Sequence, residues 1–388
     1  MKSVPRSYRV VHLPTSVGGN SKGLSAHLEK LGVASETWIF SQNVFNYTST
    51  NVIWSEGDGA LRREMKRCLA IVRVALDFDV IHFNFGCGWA GPIPMFSKAD
   101  KGVLAKVKRF CAATYLQLLS FAELGLYRLL RRPMFVHYQG DDARQGDFSL
   151  ARFKHSIAQY TDPGYYSAES DALKRRMINR MAKCCDQVYA VNPDLLHVLG
   201  PNARFVPYSN IGLDEWVPVY TQALDRPLRI GHAPSNRKVK GTDFILAALD
   251  ELAAEGLEFE LVLVEGLSHE AARREYEQID ILVDQVHAGW YGGLAVEAMA
   301  LGKPVLAYIR DEDLGFIPDA MRDQLPILRI SLETLKYDLR RAITMPRGQL
   351  LALAHASRAF VERWHDPLRI ADEIRNDYEQ ALRSRGRI

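Results

Sequence analysis

The chain has 388 residues, 47% of them hydrophobic and 24% charged, with a formal net charge of +3. This is the balance of a soluble globular protein, which excludes disordered, fibrous and polytopic membrane chains, and the length suits two domains that each bury a core. Charge is unevenly placed: residues 1–215 hold 27 Lys/Arg against 19 Asp/Glu, whereas residues 216–388 hold 22 against 27. A basic first half would meet an anionic acceptor or a membrane surface, or would reflect ordinary scatter of surface charge.

The first apolar run, Arg9–Leu13, is predicted as a strand, and no charged region, apolar stretch and cleavage site precede it, so secretion is not expected. Thr15-Ser-Val-Gly-Gly-Asn20 follows, where Gly18 and Gly19 let the backbone come close to a ligand. Strands are predicted next at Ala34–Phe40 and Val80–Phe85. Asp77-Phe-Asp79 is a D-x-D, but its place ahead of a strand reads as a strand start rather than a metal site. The segment Phe110–Leu130 is apolar over 21 residues apart from Gln117, Glu123 and Arg128. Lys98, Lys101, Lys106, Lys108 and Arg109 precede it and Arg131 and Arg132 follow. Three readings stay open: a core-packed helix, a helix lying on an anionic membrane, or a span, with the internal charges arguing against a span.

The strand Met134–Tyr138 ends in His137-Tyr-Gln-Gly-Asp-Asp-Ala-Arg144. Polar side chains crowded at the carboxyl end of a strand suggest a site. His137 is expected to point into the sheet. Gln139 can hydrogen-bond a hydroxyl but carries no proton near neutral pH, while Asp141 and Asp142 are candidate acceptor-orienting carboxylates. Gln187–Val191 is the next predicted strand. A boundary is expected near Trp216–Pro227, where Pro218 and Pro227 bracket a polar stretch. The expected units are 1–217, 218–360, and a C-terminal helical segment 361–388.

Past that boundary the predicted strands are Leu228–His232, Glu258–Val264, Ile281–Val283 and Val305–Tyr308. A helix is expected at Asp243–Glu255 with Phe244, Ala248 and Leu252 on one face, and Leu351–Leu382 also reads as helical. After the first of these strands, Arg237 can fork onto phosphate oxygens, Lys240 can neutralise them, and Gly241 permits close backbone approach. Further on, Gly289–Val305 reads GWYGGLAVEAMALGKPV. Gly292, Gly293 and Leu294 form a turn without bulky side chains that feeds a helix N-terminus, which is how backbone N–H groups meet a phosphate. Glu297, one turn in, needs hydrogen-bond donors if buried, and ribose hydroxyls are apt ones. His287 would line that pocket or be a buried structural residue. Asp311-Glu312-Asp313 reads as a solvated loop. The five cysteines show no metal spacing and read as reduced thiols of a cytoplasmic protein, and the eleven histidines show no metal motif either. Strand–helix alternation of this length predicts an α/β protein with two doubly wound parallel sheets.

The Glu297 stretch resembles the nucleotide-sugar signature of retaining glycosyltransferases of family four, which have the GT-B fold. Glu297, Ala298, Met299, Ala300, Gly302, Pro304 and Val305 match that signature in register. The resemblance implies two Rossmann-like domains facing a cleft, with C-terminal helices crossing back to the first domain. It implies that Glu297 binds the donor ribose, that Arg237 and Lys240-Gly241 hold its diphosphate, and that the Gly18-Gly19 loop faces donor phosphate or sugar. The first Glu of the family signature, which normally contacts the donor sugar, is Gly289 here. The His that often precedes the glycine at 140 is Gln139. The open space beside Trp290 and Tyr291 is then expected to hold a different or bulkier sugar. The reaction implied is sugar transfer from a nucleotide-diphosphate donor, with retention and no metal or other cofactor. The donor phosphate would assist acceptor deprotonation, with the acceptor a glycan, a lipid-linked intermediate or a small molecule. A non-catalytic nucleotide-sugar-binding relative and a nucleotide-sugar epimerase are the alternatives. Nucleic acid is not an expected partner, and peripheral contact with an anionic membrane at the inner face is.

Overall fold

A computed structural model describes residues 8–41, 49–91, 102–220 and 226–388. Lys98 and Lys101, and part of the expected boundary, lie outside these residues. The first sheet consists of β1 (Arg9–Leu13), β2 (Ala34–Ile39), β3 (Asn51–Val52), β4 (Val80–Asn84), β5 (Met134–Tyr138), β6 (Gln187–Ala190) and β7 (Ala203–Phe205). All neighbours pair in parallel, in the order β3-β2-β1-β4-β5-β6-β7. Central strands β4 and β5 are buried along their whole length, which is why they read as continuous apolar runs rather than alternating ones. The crossovers are carried by α1 (Asn20–Lys30), α2 (Ala60–Asp77), α3 (Val103–Leu129), α4 (Gly146–Arg152), α5 (Ile157–Tyr160) and α6 (Ala168–Cys184).

The second sheet has five strands, β8 (Leu228–His232), β9 (Phe259–Leu263), β10 (Ile281–Gln285), β11 (Val305–Ala307) and β12 (Leu328–Arg329). They are again all parallel, in the order β12-β11-β10-β8-β9. Its helices are α7 (Arg237–Lys240), α8 (Thr242–Ala254), α9 (His269–Gln278), α10 (Gly293–Ala300), α11 (Asp319–Asp323), α12 (Leu335–Ile343) and α13 (Arg347–Trp364), and α14 (Pro367–Ser384) follows them in the chain. Helix α10 is apolar around most of its circumference because it is enclosed between the sheet and α13, with Phe360 and Val361 of α13 in the same core. Helix α14 begins at an Asp366 cap whose side chain accepts the Leu368 N–H, with Pro367 at the first turn. It packs on α1, and Ile370, Ile374 and Tyr378 enter the core beneath the first sheet.

Two differences from the sequence expectation have physical causes. Strands β3, β7 and β12 are edge strands of two or three residues, too short to show a period. The buried face of α8 is Ile245, Ala248, Leu249 and Leu252, whereas Phe244 is turned out, where it stands edge-on to Tyr160 and His287. In each sheet, strand order reverses at one point, between β1 and β4 and between β8 and β10. The loops leaving those strands therefore diverge and open a crevice.

Candidate functional site

A cavity of about 540 Å³ lies where those loops meet, with Gly18 and Asn210 from the first half of the chain and Lys240, His269, Gly293 and Glu297 from the second among its lining. The loop after β8 turns on Asn236, whose side chain accepts the N–H groups of Lys238 and Val239 and so starts α7. One turn later Lys240 Nζ donates to Asp284 Oδ1 at 2.6 Å, and the other oxygen of Asp284 accepts the Gly292 N–H at 2.9 Å. Asp284 is fully buried. A single carboxylate thus ties the cation of one loop to the first turn of α10. Gly241 is forced: at φ +75°, a Cβ there would lie 2.3 Å from a Val286 methyl, so its close approach is to the protein's own β10 loop.

Glu297, buried on α10, accepts from Asn210 Nδ2 at 3.3 Å and from His269 Nε2 at 3.0 Å, both on Oε1. The bond to Glu297 is the main cause that raises the His269 pKa. Arg237 is absent from the cavity lining; it pairs with Glu265, itself a lining residue, at 2.9 Å. Gly18 lines the cavity, and Gly19, at φ +71°, is the N-cap of α1. Asn20 next to it accepts from the Ser209 N–H at 2.9 Å, which fixes the segment bearing Asn210.

Gly289 is where the structure corrects the expectation of open space. A Cβ on Gly289, whose φ is +79°, would sit 2.5 Å from the Arg310 guanidinium carbon. That guanidinium is buried, donates to Asp313 at 2.7 Å and to the His155 carbonyl at 2.8 Å, and lies over the Phe153 ring. Trp290 and Tyr291 are themselves 1% and 0% exposed. The volume beside Gly289 is filled.

Gln139 and Asp141 are not among the lining residues of this cavity. The Gln139 carbonyl accepts from Asn192 at 2.7 Å and its N–H is held by Asp142. Both oxygens of Asp141 are taken by the hydroxyls of Tyr165 and Tyr166. Asp142 caps its own turn, and burial pushes its pKa up to about 6. His137 points into the sheet against His82 at 2.8 Å. His287 is structural: it bonds the Lys238 carbonyl at 3.0 Å, stacks on Tyr160, and burial lowers its pKa to about 4. Asp79 is a structural node that takes Arg132 and Arg387 at 3.1 Å each and the Arg9 N–H. Asp313 is buried against Arg310 and His197 rather than solvated. Among the described residues, no group of three or more His, Cys, Asp or Glu side chains could hold a metal ion.

Sequence reading missed Asp284, His269, Asn210 and Arg310. Asp284 alone left a signal, as an acid at the carboxyl end of a strand ahead of a glycine-rich turn. No family model matches the chain, and no characterised protein matches it by sequence. Solved structures do match its fold. A sucrose-phosphate synthase from Thermosynechococcus elongatus is 14% identical, covers 98% of this chain and 100% of its own, with a TM-score of 0.60. The catalytic domain of starch synthase IV from Arabidopsis thaliana, bound to ADP and acarbose, is 12% identical over 97% and 99%, with a TM-score of 0.57. A UDP-GlcNAc 2-epimerase from Neisseria meningitidis, bound to UDP-GlcNAc, is 12% identical over 96% and 99%, with a TM-score of 0.50. The fold is thus GT-B, two Rossmann-like domains across a cleft.

Proposed function

We propose that the chain is a glycosyltransferase that takes a nucleotide-diphosphate sugar in the cavity between the β8 and β10 loops and transfers the sugar with retention. The observation that carries this reading is the convergence of Lys240, the first turn of α10 and Glu297 on one cavity that Gly18 and Asn210 also line. Departure of the sugar leaves negative charge on the diphosphate. Lys240 and the N–H groups at the start of α10 would stabilise that charge, already aimed before the reaction begins. Lys240 spends one of its three N–H donors on Asp284 and keeps the others for phosphate oxygens. Glu297 would accept from the ribose hydroxyls in competition with His269. Both oxygens of Asp141 are taken by tyrosine hydroxyls and the Gln139 amide cannot act as a base, so the donor phosphate would be the group that assists deprotonation of the acceptor hydroxyl. Exposed apolar faces on α2 and α3 favour an acceptor held at a membrane.

The test is release of nucleoside diphosphate from a panel of UDP- and ADP-sugars, with and without glycan, lipid-linked and small-molecule acceptors. Acceptor-dependent release is expected. Conversion of the donor sugar with no acceptor present would instead assign an epimerase, whose fold the chain shares. Tight donor binding with no turnover for any pair would make it a non-catalytic relative.

A further inference from the structure

We infer that the outward faces of α2 and α3 form one membrane-docking surface for anionic phospholipid. At about 100° per residue, Leu61, Met65, Leu69, Val72 and Leu76 fall within an arc of roughly 80° on α2. All five are exposed, by 46–77%, while Ala70, Ile71, Val74 and Ala75 face the core. On α3, Val103, Val107, Phe110, Leu118, Phe121 and Leu129 fall within an arc of roughly 100° and are 52–79% exposed. Leu116, Leu124 and Tyr127 occupy its opposite, buried side. The two helices cover the same face of the first sheet, since residues of both enter one core cluster, and Tyr115 of α3 donates to Glu64 of α2 at 2.9 Å. Their outer stripes therefore look the same way. Single exposed apolar side chains are ordinary; two parallel stripes of them on adjacent helices are not.

Charge selects the occupant. Helix α2 carries five Lys/Arg against two Asp/Glu, and α3 four against one. That one acid, Glu123, is turned inward, where it accepts the N–H groups of Trp89 and Ala90 at 2.9 and 3.1 Å. The acids of α2 are also engaged, Glu64 by Tyr115 and Arg67, and Asp77 by Arg73. A second copy would bring this positive face against itself. An anionic bilayer instead takes the apolar stripes at the acyl boundary and the basic side chains at its phosphates. Among the described residues no helix is long and apolar enough to cross a membrane, so α3 would lie along the surface for its ~40 Å length. The inference concerns where the protein sits; it shares these two faces with the membrane-held acceptor favoured above and is independent of the donor site.

The full chain should sediment with vesicles of equal parts phosphatidylglycerol and phosphatidylcholine but not with phosphatidylcholine alone, and the binding should fade as salt is raised. Leu118→Glu combined with Leu129→Glu touches only exposed positions. It should weaken vesicle binding about tenfold or more while leaving the thermal shift produced by UDP or ADP unchanged. Binding that ignores lipid charge, survives the double substitution, or does not occur at all would overturn the inference. So would a concentration-dependent dimer abolished by the same pair of substitutions, which would give the face to a second copy.

Discussion

Gly289→Ala is expected to destabilise the second domain by about 3–6 kcal/mol. A residue with a Cβ pays about 1–2 kcal/mol for left-handed backbone, and φ at Gly289 is +79°. The new methyl would stand 2.5 Å from the carbon and one nitrogen of the Arg310 guanidinium, too close for either to stay. Arg310 cannot withdraw cheaply, because its contacts with Asp313, the His155 carbonyl and the Phe153 ring are all buried. Breaking a buried ion pair costs up to about 3–5 kcal/mol, and the stiffer unfolded chain returns under about 1 kcal/mol. The assay is a double-mutant cycle by urea unfolding with Gly289→Ala, Arg310→Ala and their combination, read on the transition of the second domain. In the Arg310→Ala background the cost of Gly289→Ala should fall to about 1–2 kcal/mol, the backbone part alone. Equal costs in both backgrounds would refute the clash, and so would a loss below about 1 kcal/mol in the parent. Gly289→Glu, which reinstates the family residue, should be at least as destabilising and should not tighten donor binding.

Lys240→Ala should weaken nucleoside-diphosphate binding by ~1.5–3 kcal/mol in calorimetric titration. It also strips the partner from buried Asp284, so Lys240→Ala with Asp284→Asn is the variant that separates affinity from stability. Glu297→Gln should keep the fold and lose donor affinity, and a bound-nucleotide structure with the ribose more than a water layer away would refute its role. The His269 pKa is raised by its bond to Glu297, so the stability from that pair is fully present below about pH 6.5 and is lost as pH rises through the raised value. The melting-temperature gap between wild type and His269→Gln should narrow accordingly from acid to alkaline pH. Burial raises the pKa of Glu123 as well, up to about 7. The folded state then holds more protons than the unfolded one between about pH 4.5 and 7, and stability should fall across that window. Glu123→Gln should flatten that slope; a slope unchanged by the substitution would locate the cause elsewhere.

The fold was legible because the central parallel strands are buried on both faces and announce themselves as apolar runs; edge strand β9 reads the same way although it is largely exposed, and each predicted run became a strand within one or two residues. The error that mattered was small in length. The strand prediction ended at Val283, since Asp284 and Gln285 are polar, yet β10 continues through both. Asp284 pairs with Lys240, and Gln285 ties down the following turn by bonding the Trp290 and Tyr308 carbonyls at 2.9 Å and the Ala288 N–H at 2.6 Å. Asn210 and His269 were invisible for a different reason. Asn210 reaches Glu297 from 87 residues away across the two sheets, and His269 from 28 residues away within the second, so neither contact is local in sequence. The single long apolar segment was read as three alternatives; the helix packs one face in the core and leaves the other in solvent, and among the described residues no helix is long and apolar enough to span a membrane.

The filled volume at Gly289 and the fixed carboxylate of Asp284 frame the two sides of the β10 loop. A carboxylate at 289 would have projected toward a volume that Arg310 now occupies, and Arg310 is spent on joining the halves of the chain, through His155 and through Asp313 to His197. Tyr160 stacked on His287 and Lys238 paired with Asp162 close the same side. Glu265 and Glu297 line the cavity, and behind Lys240 stands a further carboxylate, Asp284, on the end of a strand, fixed by the Gly292 N–H. Lys240 is thereby held in one orientation before any ligand arrives, but half of its field is already answered. On the proposed reading an incoming diphosphate would rely more on the N–H groups of Gly293 and Leu294, since the Gly292 N–H is already donated to Asp284. Glycine at 292 keeps that approach open: an ideal Cβ there would stand 3.4 Å from Lys240 Nζ, in the space between that cation and the turn.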